Sequence, residues 1–515
     1  MKNLMQDQFT AVGRNGQLVF SLNSEIVLPE NAPVRLTRLQ LEELDYSKLY
    51  EAYSSKGRKS KVDPSVLFQV IVYASQCGID SSRKIEEACR YRVDFMWLLD
   101  GQKAPDHATI ARFRTGRCKE ALEDLFYQFA ARLEQMGETD HQTVFIDGTK
   151  IDSAAGRYTF CWKKNSEKQL AKVTAKALAL GYSSLEALRS CLKTKKETFS
   201  FVHGTGHRKS PEQKHWEAMN DLYLKWSKYE KDLKIMGDSR NSYSKTDKDA
   251  TFMRMKEDHM RNGQLKPAYN LQIAVNSEYI TGLGVFPNRT DFGTLVPLLQ
   301  KMKKEYGCQY EEVCADAGYE SLDNYLYLEE NGQLSLIKPS NYEQKKTKKF
   351  KKQLGRAENM QYDPEENCFT CAAGRKLPLR RETSEWQSGH IVTTAWYRCD
   401  SCKDCPCRNA CCHAKDLDKP KEIRLQKTFW EKRAASQKNI ATEHGIYVRM
   451  CRSIQVEGTF GLLKNDFGFR RFLTREKANV TAECYFLALG FNLKKLWMKR
   501  EKGRLQTHLS KIHVA

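Results

Sequence analysis

The sequence lacks any run of about 18 uninterrupted apolar residues, the length that a helix needs to cross a membrane, so we expect no transmembrane segment. Its first residues, from Met1 to Asp7, contain no apolar core of the kind found in secretory signals, and we therefore expect a cytoplasmic protein. The 17 cysteines are an odd number in a chain without such a signal. This argues against a disulfide framework and favours metal binding where cysteines cluster.

Acidic residues are fewer than basic residues. The 515 residues include 85 Lys and Arg against 64 Asp and Glu, a formal charge of +21, and the length suggests about two to four domains. With 40% hydrophobic and 29% charged residues, the composition is that of a globular protein. The positive excess favours a polyanionic partner, which for a globular chain is most often nucleic acid. The alternative is a basic surface that serves only solubility.

Helical patterns dominate the chain from residue 60 to residue 137. Asp63-Pro64 is an N-cap followed by a first-turn proline, and Asp80 and Asp106 are the predicted caps of the next two helices. A fourth helix is predicted to start near Leu122 and to end at Gly137. We therefore predict an all-helical N-terminal domain over residues 1–137, although a strand-like stretch lies within it at 17–22.

Strand patterns begin near residue 141. Strands and helices are predicted in the order strand 143–151, strand 157–162, strand 269–275, strand 280–286, helix 295–306, strand 311–316, helix 322–330, strand 334–337 and a helical block from 448. This order predicts a mixed sheet flanked by helices, of the α+β or mixed α/β class. Two insertions interrupt it, a helical one over 163–245 and a basic, cysteine-rich one over 340–445. A basic tail is predicted over 501–515.

Two aspartates each follow an apolar strand and precede small residues. Asp147 ends one predicted strand and is followed by Gly148, and Asp316 ends another and is followed by Ala317-Gly318. Such a carboxylate is expected at the edge of the sheet, where the glycine leaves the backbone open to a ligand. Asp-Gly is also a common turn dipeptide, so a purely structural role stays open for both.

Glu457 lies in a predicted helix beside Gly458 and Gly461, each of which costs about 1 kcal/mol in a helix interior. Their small size suggests that something approaches closely there. Lys464 follows about two turns later on the same face, and a solvated Glu–Lys face is the alternative. Three acidic side chains brought together cannot all ionise cheaply without a cation. Two divalent ions would balance them, and oxygen ligands select Mg²⁺ or Mn²⁺.

Seven segments, in order, resemble the DDE transposases of bacterial insertion sequences, and the resemblance covers about residues 45–495. The segments are 145–151, 157–164, 249–253, 269–274, 316–319, 452–458 and 467–472. The resemblance implies an RNase H-like catalytic domain over 138–500, preceded by a helical DNA-binding domain.

The resemblance also implies a function and a site. Asp147, Asp316 and Glu457 would bind two Mg²⁺ or Mn²⁺ ions, and Lys464 would hold a terminal DNA phosphate. The expected activity is cleavage of double-stranded DNA at the terminal inverted repeats of an element and transfer of the strands into target DNA. We expect a homodimer on the DNA, in the cytoplasm and nucleoid of a bacterium. The alternatives are a catalytically inactive, zinc-bearing regulator derived from a transposase, and a nuclease that only hydrolyses.

Eight cysteines fall within residues 368–412. Two CxxC pairs, Cys368 with Cys371 and Cys399 with Cys402, are 27 residues apart and suit a structural zinc in a zinc-ribbon-like insertion. Chance clustering of reduced cysteines is the alternative. The resemblance selects a ligand set in which Cys368 and Cys399 are peripheral, namely Cys371, Cys402, Cys405 and Cys411.

Three groups of basic residues are expected to contact DNA. Six lysines within 345–352, which include Lys348 and Lys349, would contact phosphates, and a solvated loop is the alternative. The third N-terminal helix would contact bases, because arginine can pair bidentately with guanine. Its arginines are Arg112, Arg114 and Arg117. Upstream of Glu457, residues Tyr447, Arg449 and Arg452 are available for the tyrosine and arginine that related transposases carry, at a spacing that differs from the commonest version.

Overall fold

The computed structural model describes residues 28–508 except 54–59, 61, 198–199, 204–208, 256–262, 388, 413, 415 and 417. The strand-like stretch predicted at 17–22 lies outside these residues. In the part of the chain that is described, no helix is both long enough and apolar enough to cross a membrane.

Before the first strand, the regular structure of the described residues is entirely helical, as predicted. The α-helices of this part are α1 (Pro33–Glu42), α2 (Ser47–Glu51), α3 (Pro64–Gln76), α4 (Ser82–Tyr91), α5 (Val93–Leu99), α6 (His107–Arg112) and α7 (Leu122–Gln135), and a π-helical turn at Phe113–Arg117 follows α6. The Asp63 carboxylate accepts a hydrogen bond from Ser65 N, and that of Asp106 accepts one from Thr109 N, so both predicted caps are confirmed. The Asp80 cap is wrong, because α4 begins one residue later, after Ser81.

A helical arm follows the first two strands. The elements are β1 (Thr143–Asp152), β2 (Phe160–Trp162), α8 (Lys163–Ala179), α9 (Leu185–Lys196), α10 (Pro211–Met236) and β3 (Ser242–Ser244). Strands β2 and β3 pair at the base of the arm, and the three helices bury a core of their own that includes Leu188, Met219 and Trp226. The predicted helical insertion therefore has a defined core.

The central sheet has six strands and mixed pairing. Its remaining elements, with the helices between them, are β4 (Thr251–Arg254), β5 (Leu265–Asn276), β6 (Tyr279–Phe286), α11 (Leu295–Tyr306), β7 (Glu312–Ala315), α12 (Leu322–Glu330) and β8 (Leu334–Ile337). Strand β1 pairs antiparallel with β5 and parallel with β7, which in turn pairs parallel with β8. Strands β4 and β6 both pair antiparallel with β5. The predicted mixed sheet is confirmed, and β4 is a strand that the sequence pattern missed.

The cysteine-rich insertion contains a second sheet. It comprises α13 (Tyr342–Lys346), α14 (Lys348–Lys351), β9 (Gln361–Asp363), β10 (Cys368–Thr370), β11 (Lys376–Gln387), β12 (His390–Arg398), α15 (Arg408–Cys411) and β13 (Glu422–Gln426). The five strands are antiparallel in the order β13-β12-β11-β10-β9. Phe369, Leu377 and Tyr397 are fully buried between this sheet and the next helix. We refer to residues 340–426 as the cysteine module.

The last helices return to the central sheet. They are α16 (Lys427–Asn439), α17 (Glu443–Arg452), α18 (Gly458–Asn465) and α19 (Lys477–Glu501), and a π-helical turn at Ser453–Glu457 joins α17 to α18. Helix α19 packs closely on α3, since a Cβ at Gly490 would lie 2.6 Å from Gln76 N. The N-terminal helices, one face of the sheet and α19 therefore share a single hydrophobic core.

Candidate active site

Parallel pairing of β1 with β7 brings two of the predicted site residues together at the edge of the sheet where β7 ends. The prediction that Asp147 ends its strand is wrong, because β1 continues to Asp152 by pairing with β5. Ile146 pairs with Ala315, so Asp147 and Asp316 are the next residues along two adjacent strands. Each carboxylate is oriented by a nearby backbone amide: Gly148 N donates to Asp147 Oδ1 at 2.8 Å, and Gly318 N donates to Asp316 Oδ1 at 2.7 Å. The fold thus brings together two residues that lie 169 positions apart in the sequence.

Arg452 connects the third predicted carboxylate to the first. Its Nη1 lies 3.4 Å from Asp147 Oδ2, and its Nη2 lies 3.3 Å from Glu457 Oε1. The π-helical turn between Arg452 and Glu457 accommodates one extra residue in the helix, a feature frequent at functional sites. The Glu457 side chain is 60% exposed, so it faces solvent while Asp147 is nearly buried.

Tyr319 lies among the charged groups of this edge. Burial raises the pKa of its hydroxyl well above the usual range, and the negative charges of Asp291, Asp147 and Asp316 raise that pKa further. Arg452 acts in the opposite direction. Electrostatic influence of this kind requires proximity, so all of these groups lie near one buried ring.

Asp291 is a fourth carboxylate at this edge, and sequence reasoning missed it. It lies in the loop between β6 and α11, where its Oδ1 accepts hydrogen bonds from Asn270 Nδ2 at 2.6 Å and Gln272 Nε2 at 2.9 Å. These amides alternate along β5, a strand otherwise rich in apolar residues. A pair of buried amides on one strand face is the signal that could have indicated a buried acceptor.

The surface beside Glu457 is open. No heavy atom of the described chain, apart from the helix backbone itself and immediate neighbours, would lie within 4 Å of a Cβ at Gly458 or at Gly461. Nothing in the described part of the chain makes the close approach that these glycines suggest. They leave an uncovered helix face next to the carboxylate, and Lys464 follows on α18, half-buried.

Seven cysteines line one small cavity of the cysteine module, of about 10 Å³. They are Cys371, Cys399, Cys402, Cys405, Cys407, Cys411 and Cys412. Cys368 lies outside this cavity, where its thiol donates to the Glu366 carboxylate at 3.4 Å. Lys421 N donates to Cys402 Sγ at 3.2 Å, and burial raises the pKa of the Cys411 thiol to about 11, with Cys371 and Cys402 adding to the effect.

Neither cluster has a metal-binding arrangement as it stands. Among the described residues, no three His, Cys, Asp or Glu side chains converge closely enough to hold an ion. In the carboxylate site, the Arg452 guanidinium lies between Asp147 and Glu457. In the cysteine cavity, the Cys399 thiol donates to the Ser401 carbonyl oxygen at 3.2 Å.

The predicted DNA-binding arginines of the N-terminal helices differ in exposure. Arg112 is exposed at the end of α6, and Arg117 is exposed with its guanidinium 4.5 Å from the centre of the Tyr53 ring. Arg114 is only 8% exposed, and its Nη1 donates to the Asp80 carbonyl oxygen at 2.5 Å. The expectation of a base contact is corrected for Arg114, because its guanidinium is used inside the protein.

The other predicted DNA contacts lie on two surfaces. Lys348 and Lys349 are exposed on the short helix α14. Arg449 is half-buried on α17, with its guanidinium 5.2 Å from the centre of the Tyr342 ring. Tyr342 belongs to α13, so this contact joins the cysteine module to the helix that leads to Glu457.

Comparison with known families gives two matches. A family described as transposase DDE domain matches residues 370–497, and one described as transposase domain (DUF772) matches residues 23–116. The first range contains Glu457, Lys464 and the seven cysteines of the cavity, whereas Asp147 and Asp316 lie outside both. No curated protein and no solved structure matches the chain. Two transposase matches in one chain confirm its resemblance to the DDE transposases of insertion sequences, and with it a role in DNA transposition.

Proposed function

We propose that the protein cleaves DNA at the ends of a mobile element and joins the freed 3′ ends to target DNA, using one site for both steps. The observation that carries this proposal is the convergence of Asp147 and Asp316 from adjacent parallel strands, with Arg452 linking Asp147 to Glu457. The mixed sheet beneath them supports an RNase H-like catalytic domain over 138–500.

The residues of the site fit divalent ions. Their donor atoms are carboxylate oxygens, which favour Mg²⁺ or Mn²⁺. Arg452 Nη1 is buried and has no hydrogen-bond partner in the described chain. It lies 3.4 Å from Asp147 Oδ2, so a positive charge already lies beside the carboxylate. Two such ions held by Asp147, Asp316 and Glu457 would activate the attacking hydroxyl and stabilise the leaving oxygen.

Residues of the chain itself position the carboxylates and the DNA. The amides of Gly148 and Gly318 fix the aspartate carboxylates before DNA arrives, which lowers the cost of assembling the site. Glu457 faces an uncovered helix surface that can admit the DNA backbone. Lys464 lies about two turns further along that surface, where its ammonium would contact a terminal phosphate.

DNA would be held by surfaces outside the carboxylate site as well. Exposed Arg112 and Arg117 on the N-terminal helices would contact the terminal inverted repeats, and Lys348 and Lys349 would contact phosphates. Arg449 and Arg452 would act close to the carboxylates. Two copies of the chain would pair the two ends of the element.

The cysteine module would hold one structural zinc ion. Thiolates are preferred zinc ligands, and the seven cysteines around one small cavity offer more than the four that a tetrahedral site needs. Cys371, Cys402, Cys405 and Cys411 are the proposed set. The hydrogen bond from Lys421 N to Cys402 Sγ supports the inclusion of Cys402, because it would stabilise a thiolate.

The test uses the full chain with duplexes that carry the inverted repeats flanking its gene, one set uncut and one set with the 3′ ends already exposed. We expect Mg²⁺-dependent cleavage of the first set and joining of the second set to a target plasmid, with neither reaction in Ca²⁺. Cleavage without joining would indicate a nuclease. Specific binding without either reaction would indicate the inactive regulator.

A further inference from the structure

Hydrogen bonds fix both the side chain and the backbone of Asp291. Besides the bonds from Asn270 and Gln272 to its carboxylate, its carbonyl oxygen accepts from Thr294 N at 3.1 Å and from Thr294 Oγ1 at 2.8 Å. Asn270 and Gln272 are at most 1% exposed, and the Tyr319 hydroxyl donates to Gln272 Oε1. That last bond turns the Gln272 amide nitrogen towards Asp291.

Two glycines make room for this carboxylate. A Cβ at Gly148 would lie 2.1 Å from Gln272 Nε2 and 3.0 Å from Asp291 Oδ1, so this glycine leaves space for both partners of their hydrogen bond. A Cβ at Gly318 would lie 3.3 Å from Asp291 Oδ2. The Cβ at Gly318 would also lie 2.9 Å from Asp316 Oδ1. Gly148 directly follows Asp147, and Gly318 lies two residues after Asp316. Asp291 therefore lies between the middle of β1, which carries Asp147, and the end of β7, which Asp316 follows.

The loop of Asp291 is also tied to the loop of Asp316. Asn324, which is 1% exposed, donates through Nδ2 to the Phe292 carbonyl oxygen at 3.1 Å and to the Tyr319 carbonyl oxygen at 2.6 Å. One amide side chain thus joins the residue after Asp291 to the turn that follows Asp316. A shift of either loop would be transmitted to the other.

We infer that Asp291 is a positioning residue for the Asp147 and Asp316 carboxylates, an inference that rests on the proposed function. It fixes the separation of the two backbone segments that carry Asp147 and Asp316, and it adds a negative charge beside them without contacting DNA. Groups that support metal ligands from behind typically change metal affinity on the order of 10–100-fold. A plain loop anchor, by contrast, would need only the two hydrogen bonds to Oδ1.

Asp291→Asn separates these roles, because an asparagine oxygen can still accept from Asn270 and Gln272 while the charge is lost. Mn²⁺ binding to the zinc-loaded full chain would be measured by calorimetry, and folding by thermal unfolding without Mn²⁺. We expect Asp291→Asn to weaken Mn²⁺ binding on the order of 10-fold with little change in unfolding temperature. The control Asp323→Asn, an exposed aspartate at the start of α12, should bind Mn²⁺ like the wild type.

Gly318→Ala is the second variant, and it keeps both the charge and the anchors of Asp291. Its methyl group would enter between Asp291 and Asp316, so it too should weaken Mn²⁺ binding, even if Asp291→Asn fails to fold. Wild-type affinity in a folded Asp291→Asn or Gly318→Ala protein would overturn the inference. Asp147→Asn distinguishes a failure of this inference from a failure of the proposed function. If Asp147→Asn also binds Mn²⁺ like the wild type, the proposed metal site itself is wrong.

Discussion

The carboxylate site and the cysteine cavity are built in opposite ways. Asp147, Asp316 and Glu457 are separated by 169 and 141 residues, whereas the eight cysteines of the module lie within residues 368–412. The aspartates are oriented by the backbone amides of nearby glycines, and Arg452 supplies positive charge beside them. Seven of the cysteines surround a cavity, whereas the Cys368 thiol lies outside it and donates to a carboxylate.

This difference indicates how each site depends on its ion. The carboxylate site rests on a sheet and a helix that share the main hydrophobic core, so its geometry should survive without metal. The cysteine module has a small core of its own, in which the buried cysteines take part. Its stability should therefore depend on the zinc that we expect there, as small metal-binding modules commonly do.

The largest expected effect is on catalysis. Asp147→Asn, Asp316→Asn and Glu457→Gln should each reduce cleavage by at least about 10³-fold, because groups that act as a unit fail together. Thermal unfolding and DNA affinity should stay close to those of the wild type, since the core and the phosphate contacts lie elsewhere. Gel assays of cleavage and binding on the same duplex provide the measurement. Substantial cleavage by any one of these variants would remove that residue from the site.

The next effect concerns zinc. Cys402→Ser should lower the zinc content, which we expect to be about one ion per chain, and should make the module around β9–β13 sensitive to proteolysis. Cys368→Ser is the matched control, since Cys368 faces Glu366 outside the cavity and its loss should leave zinc in place. Elemental analysis of protein purified without chelator measures both. Equal zinc in the two variants would contradict the proposed ligand set.

A smaller effect should distinguish two neighbouring arginines. Arg117→Ala should reduce the salt dependence of DNA binding by about one counterion, because its guanidinium is exposed. Arg114→Ala should instead lower the free energy of unfolding by about 1.5–3 kcal/mol, since it removes a buried, charged donor from the Asp80 carbonyl. Salt titrations and denaturant unfolding test the pair. A steeper loss of DNA affinity in a stable Arg114→Ala protein would reverse the assignment.

The smallest effect is on the open helix face. Gly461→Ala meets no atom of the described chain within 4 Å, so it should stabilise α18 by up to about 1 kcal/mol. If DNA approaches this face, the same methyl group should weaken binding of the element end. Stabilisation with unchanged end binding would show that DNA does not use this surface.

Much of the central fold could be predicted from the sequence. Helices α11 and α12 have the predicted ends, because their apolar residues repeat at helical spacing between polar turns. The strands near Asp147 and Asp316 could be predicted because each is apolar before its aspartate, although β1 continues past Asp147 to Asp152. The resemblance to DDE transposases assigned Glu457 to the same site as the two aspartates. The separation of the three residues in the sequence could not make that assignment.

The missed elements have physical reasons. Helix α1 buries Thr37 and Gln40, so its inward face does not read as apolar. Strand β11 is mostly exposed and charged, which hides the alternation by which strands are recognised. Asp291 meets its amide partners about 20 residues away through a loop, and no local pattern records such a contact.

The central claim is that Asp147, Asp316 and Glu457 form a single catalytic unit. The most direct test compares the cleavage rate of Asp316→Asn with that of the triple variant Asp147→Asn, Asp316→Asn, Glu457→Gln on a duplex bearing the element end in Mg²⁺. A single unit predicts equal residual rates, because the first loss already removes the whole effect. A triple variant slower than Asp316→Asn by the product of the separate losses would contradict the claim.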